Sequence, residues 1–86
     1  MGRRGVRDGM LSAYVLVESE VGKVAHVAQA MRDLDGVQLA EDLAGPYDVI
    51  ARVQASGLDE LGRLIVFRIH VLDGVTRTLT CMVLHR

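Results

Sequence analysis

Residues 37–54 read VQLAEDLAGPYDVIARVQ, and the change of pattern inside this stretch decides the fold. Val37, Leu39, Glu41 and Leu43 alternate with Gln38, Ala40, Asp42 and Ala44, the period-two pattern of a partly exposed strand. The acidic residues suit a sheet edge. Gly45-Pro46-Tyr47-Asp48 then interrupts, with proline where its fixed φ favours a turn. Residues Val49 to Gln54 resume as a strand, so the stretch predicts an antiparallel hairpin.

A helical pattern flanks the hairpin on each side. Upstream, Val21, Val24, Val27, Ala28, Met31 and Leu34 recur at spacings of three and four, opposite Lys23, His26, Gln29 and Asp33. This amphipathic helix is expected to end at Gly36. Before it, Leu11 to Glu18 reads as a strand rich in Val and Leu. Downstream, Ser56 followed by Asp59 signals a helix start, and Leu58, Leu61, Ile65, Ile69 and Leu72 form its apolar stripe to about Val71. Asp59 and Glu60 stand four and three residues before Arg63, spacings that allow weak surface pairs. Asp73-Gly74 breaks the chain, and Val75 to His85 alternates as a last long strand.

The order strand, helix, strand, strand, helix, strand predicts a ferredoxin-like α+β plait, with a four-stranded antiparallel sheet and both helices on one face. One domain is expected over residues 10–86. Residues 1–9, with three glycines and Arg3, Arg4, Arg7 and Asp8, read as a flexible tail.

Helices on one face leave the other open, yet the first strand is apolar on both. Ala13, Val15 and Val17 lie on one side and Tyr14 and Leu16 on the other; the last strand sets Leu79, Cys81 and Val83 against Met82 and Leu84. A sheet wet on one side alternates apolar with polar, so the second face calls for a second subunit related by a twofold axis. Phe67 and Val66 fall off the stripe of the second helix and point to a further contact between dimers, unless the helix distorts near its end and tucks Phe67 into the core.

Composition narrows the function. With 86 residues, half of them hydrophobic but only 3% aromatic, the core must interleave small aliphatic side chains, and a domain this small is marginal alone. The net charge of −1 offers no field for nucleic acid or an anionic membrane. No apolar run approaches the roughly 20 residues needed to span a bilayer, and the start lacks a signal peptide's apolar block. A cytoplasmic location is expected, in keeping with a lone Cys81.

Gly45-Pro46-Tyr47-Asp48 before Val49-Ile50, together with Asp73-Gly74-Val75-Thr76-Arg77-Thr78-Leu79-Thr80, resembles the ligand-binding or RAM domain of the Lrp/AsnC amino-acid-responsive regulators. The resemblance runs from about Met10 to Arg86. It implies sheet-to-sheet dimers assembled into rings, commonly octamers or decamers, with an amino acid bound between dimers near Gly45 to Asp48. Full-length members carry an amino-terminal helix-turn-helix. Nine residues before the first strand are too few for one, so a stand-alone member is expected, acting on DNA only by mixing its subunits with a full-length regulator.

An amino acid presents a carboxylate and an ammonium, and the candidate site residues have groups for both. Gly45 lets a backbone approach closely, Pro46 fixes the turn, Tyr47 can wall a pocket, Asp48 supplies an anion, and the Thr78 and Thr80 hydroxyls donate or accept. The same residues also read as plain structure, with Gly45 and Pro46 turning the hairpin, Asp48 closing it, and the threonines favouring a strand. No cofactor is expected. Two alternatives compete: a small dimeric enzyme of the monooxygenase or isomerase type, and a purely structural oligomerisation subunit. The enzyme needs a polar group in a cavity, drawn from His26, His70, His85, Asp48 or Tyr14, and the three histidines read as surface residues. Cys81 and His85 stand about 13 Å apart along a strand, too far to share a metal ion.

Overall fold

The structure is a computed structural model that describes residues 10–84. The reading of residues 1–9 as a tail and that of His85 lie outside the described residues. The chain runs β1 (Leu11–Ser19), α1 (Val24–Arg32), β2 (Val37–Asp42), β3 (Val49–Ala55), α2 (Leu58–Arg63), a π-helical turn (Leu64–Ile69) and β4 (Val75–Met82). All strand pairs are antiparallel, in the order β2-β3-β1-β4. This is the expected ferredoxin-like plait.

Alternation in the two central strands separates the faces. Ala13, Val15 and Val17 of β1 pair in register with Val53, Ala51 and Val49 of β3, and all six are fully buried. Val27, Ala28 and Met31 of α1, with Leu61, Leu64 and Ile69 of the second helical run, close the core over them. Every one of these side chains is aliphatic. Tyr14, Leu16, Ile50 and Arg52 lie on the opposite face and are half-buried, beside the exposed Leu39 and Leu79. Tyr14 and Arg52 hold one another there, with the guanidinium carbon 5.3 Å from the ring centre and Arg52 Nη1 donating to the Tyr14 hydroxyl at 3.0 Å. Arg52 Nε also donates to Gln38 Oε1 at 3.2 Å.

Several local expectations shift. Val21, placed on the α1 stripe, is fully exposed in the turn before it, because Gly22 at φ +84° delays the helix until Val24. The helix stops at Arg32, and the chain reverses at Gly36, φ +93°. In β2 a bulge between Val37 and Leu39 reverses the alternation, so Ala40 is buried and Leu39 faces out. Gly57, in extended backbone, caps α2, and Glu60 rather than Asp59 reaches back to accept from the Ser56 amide. Hydrogen bonds from Ser56, side chain before backbone, hold the Glu60 carboxyl below its ordinary range.

The largest departure is the π-helical turn. His70 N–H donates to Ile65 O at 2.9 Å, an i to i+5 bond. The core positions therefore run Leu61, Leu64, Ile69, with Ile65 and Leu72 only half-buried and Leu58 exposed. Phe67 stays outside at 64% exposure.

The turn into β4 is tied to α1. Lys23 Nζ lies 2.9 Å from Asp73 Oδ2, and this hydrogen bond, then the opposite charge, lowers the Asp73 pKa and raises that of Lys23. A lowered carboxylate pKa contributes stability above the ordinary carboxylate range and loses it on acidification; a raised lysine pKa contributes below the ordinary lysine range and loses it on alkalinisation. The melting-temperature difference between the protein and Asp73→Asn should therefore be largest near neutrality and vanish at both extremes. A Cβ at Gly74, φ +98°, would sit 3.0 Å from Lys23 Cβ and Val27 Cγ2, whereas one at Gly45 would meet nothing within 4 Å. Gly74→Ala should cost about 1–3 kcal/mol in denaturant melts, and Gly45→Ala less than about 0.5 kcal/mol.

Candidate functional site

The β2–β3 loop begins where Leu43 N–H donates to Asp48 O at 2.8 Å, closing a short turn around Ala44 to Tyr47. Ala44, Gly45 and Pro46 are exposed at its tip, and Tyr47 and Asp48 are half-buried at its base. Asp48 fastens the base to the end of β1. Its amide donates to Val17 O at 2.8 Å, and its Oδ2 accepts from the Ser19 amide, also at 2.8 Å. The β1–β4 register slips between Glu18 and Ser19, which takes Ser19 out of the regular ladder where the carboxylate meets it. Of the two roles open to Asp48, loop support is the one the structure displays.

Thr78 lies on the other side of the same strand end. Val17 pairs with Val49 on one flank and Thr78 on the other. Two strand spacings place the base of the loop about 10 Å from Thr78. Thr80 sits two pairs further along, opposite Val15, away from the loop. The structure thus brings Gly45, Pro46, Tyr47, Asp48 and Thr78 to one end of the sheet and sets Thr80 deeper along its edge.

His70 joins this end. Its Nε2 lies 2.7 Å from Thr78 Oγ1, and both residues line an open cleft of about 340 Å³ with Val75, Thr76 and Arg77. Thr76 Oγ1 donates to Glu18 O at 3.1 Å. The cleft therefore offers an imidazole, a hydroxyl and a guanidinium, groups suited to a small polar ligand rather than to a buried reaction centre. His26 lies on the outer face of α1, exposed, with Nε2 3.9 Å from Asp73. Among the described residues no cluster of three or more His, Cys, Asp or Glu side chains is placed to hold a metal ion. No helix among them is long and apolar enough to cross a membrane.

Sequence reasoning missed Ser19 and His70 as members of this end. The Ser19 contact spans 29 residues and uses a main-chain amide, which any residue but proline supplies. His70 reaches Thr78 through the π turn, whose extra residue no helical period signals.

The sequence model of the Lrp/AsnC ligand binding domain matches residues 12–86. An uncharacterised HTH-type transcriptional regulator of Pyrococcus abyssi is 32% identical over 54 residues, 63% of this chain and 36% of the relative. A Pyrococcus horikoshii regulator matches to the same extent. The chain thus spans about a third of the length of the curated relatives it matches. A solved protein of Thermus thermophilus superposes with a TM-score of 0.83 at 29% identity, over 88% of this chain and 95% of that one. Escherichia coli AsnC gives 0.82 at 19% identity, over 88% of this chain and 52% of that one. A Neisseria meningitidis transcriptional regulator in complex with L-Met gives 0.77 at 18%, over 87% and 50%; at such identities the likeness is one of fold. With the family's sequence model spanning the whole plait and the plait itself superposing on that of these proteins, the chain belongs to the Lrp/AsnC ligand-binding domain family.

Proposed function

We propose that this domain is a non-catalytic sensor of a free amino acid, which assembles through its open sheet face and passes its ligand state to Lrp/AsnC-type regulators by mixing subunits. The observation that carries the reading is the pinning of the Gly45–Tyr47 turn by Asp48 at the same sheet end as the His70–Thr78 cleft. A preformed loop loses little freedom on binding, which raises affinity. Gly45 has no reason within its own chain to be glycine, since its φ is not positive and a Cβ there has open space. A close-approaching ligand or neighbouring subunit supplies one. The Neisseria relative's complex with L-Met supports an amino acid as the ligand class.

Assembly is supported by the second sheet face. Leu16, Ile50, Leu39 and Leu79 form an apolar band there, with Leu39 and Leu79 42% and 47% exposed. Their burial by a second sheet would offset the thin aliphatic core. Gel filtration with light scattering should give a dimer or a multiple of dimers; a monomer at micromolar concentration would refute the assembly. A thermal-shift screen of the twenty amino acids should raise the melting temperature with one or a few of them, because a ligand at about 100 times its Kd adds about 2.7 kcal/mol. An intact assembly that no amino acid stabilises would refute the ligand class.

Asp48 separates loop support from direct pairing with the ligand. Asparagine keeps an oxygen for the Ser19 amide, while alanine removes it. Asp48→Ala should weaken binding tenfold to a hundredfold, on the order of the 1.5–3 kcal/mol of a charge-assisted hydrogen bond. Asp48→Asn should retain most of the affinity in calorimetric titration. Equal losses in both would assign the carboxylate to the ligand's ammonium instead.

A further inference from the structure

The cleft at His70 and Thr78 offers charge of one sign only. Its lining residues are His70, Val75, Thr76, Arg77 and Thr78, and among the described residues no carboxylate lines it. Arginine stays cationic whatever its surroundings. The Thr76 hydroxyl already donates to Glu18 O at 3.1 Å, which leaves the guanidinium, the imidazole and the Thr78 hydroxyl as the side-chain donors of the cleft. Such a lining repels an ammonium and fits a carboxylate, whose two oxygens accept from an arginine as a pair.

The ammonium of an amino acid then belongs at the loop. The Gly45–Asp48 segment has a carboxylate side chain at its half-buried base and an exposed tip. About 10 Å separates that base from Thr78. A hydrogen bond of roughly 3 Å at each side leaves roughly 4 Å between them, close to the distance from the nitrogen to the far carboxylate oxygen across one α-carbon.

We propose that the cleft is the carboxylate subsite of the amino-acid sensor, where Arg77 pairs with the ligand's α-carboxylate and His70 acts through the Thr78 hydroxyl as a positioning residue. The inference rests on the function proposed above and adds what this end of the site reads. Because the α-carboxylate is common to all amino acids, Arg77 and His70 set affinity and leave the choice among side chains to other residues.

The direction of one hydrogen bond gives His70 its part. Its Nε2 lies 2.7 Å from Thr78 Oγ1, and only one of the two atoms supplies the proton. When Nε2 carries it, the ring donates to Oγ1 and the hydroxyl proton is free for the carboxylate. When Nε2 is bare, the hydroxyl donates to the ring instead. An imidazolium always carries the Nε2 proton and adds a positive charge, so binding tightens as the pH falls through the range in which histidines titrate. The other charged residues on the elements around His70 are Arg68 of the π turn, Arg77 of β4, Glu18 of β1, and Asp73 with its partners Lys23 and His26. Among these His26 is the second imidazole, and it lies beside Asp73 on the outer face of α1.

Thermal shift with the twenty amino acids and their α-carboxamides, followed by calorimetric titration of the strongest binder, tests the subsite. The carboxamides keep the side chain and the ammonium but lack the anion, and should fail to stabilise the protein. Arg77→Gln should weaken binding of every amino acid tenfold to a hundredfold, with the melting temperature of the unliganded protein unchanged because the residue is exposed. Between about pH 8 and about pH 5.5 the affinity of the unaltered protein should rise several-fold. His70→Gln, whose amide still donates to Thr78 but takes no charge, should abolish that rise, and His26→Gln should keep it. Carboxamides that bind as well as their acids, or an Arg77→Gln variant of unchanged affinity, overturn the subsite. A pH profile that survives His70→Gln overturns the part given to His70. An unaltered protein that no amino acid stabilises removes the sensor reading itself and the subsite with it, so the two failures are told apart before any variant is made.

Discussion

The central strand β1 carries apolar side chains on both sides, joined on the open side by Ile50 of β3, and two short helical segments cover only one side. That imbalance governs the molecule. The covered side is filled by alanine, valine and a few larger aliphatic residues, which pack closely but remove little apolar surface per residue. The uncovered side keeps its leucines and isoleucine half in water, and its one aromatic ring is held by a guanidinium that lies over it. Arginine stacked on tyrosine presents a flat and largely apolar surface while retaining donors at its rim, which suits a half-exposed apolar face.

Much of the plait was legible because periodicity is a direct record of burial. The alternation of Ala13, Val15 and Val17 and the three-four spacing of Val27, Ala28 and Met31 each correspond to a buried row, with Val24 partly buried beside the second. Legibility ended where one residue is added to or removed from a period. The bulge at Val37–Leu39 turns Ala40 inward and Leu39 outward, against the alternation of the letters. The π turn does the same in a helix, putting Leu64 in place of Ile65 on a stripe that keeps Leu61 and Ile69. Neither insertion has a residue signature of its own.

The candidate site shows a related limit. Gly45-Pro46-Tyr47-Asp48 was visible as a turn from local chemistry alone, and its clustering with Thr78 followed from strand order. Which atoms Asp48 serves was not visible, because its partner is a backbone amide exposed by a register slip 29 residues away. A carboxylate beside a strand end that has left its ladder satisfies a donor that would otherwise need water. The same contact fixes where the loop tip projects, so a requirement of the backbone and the geometry of the site are met by one side chain.

The π turn links the two ends of the second helical run in a comparable way. With regular α geometry, the core spacing from Leu64 to Ile69 would not be met, since five residues overshoot one turn by more than a third. The i to i+5 bond absorbs the excess and brings Ile69 fully into the core. The residues beyond Ile69 are rotated with it, so His70 meets Thr78 at the edge strand while Val66 and Phe67 remain on the outer surface. One extra residue in a turn thus decides both what lines the cleft and what the helix leaves on its outer surface. The sheet end and the outer helical face are in this sense a single structural decision, made at Leu64–Ile69.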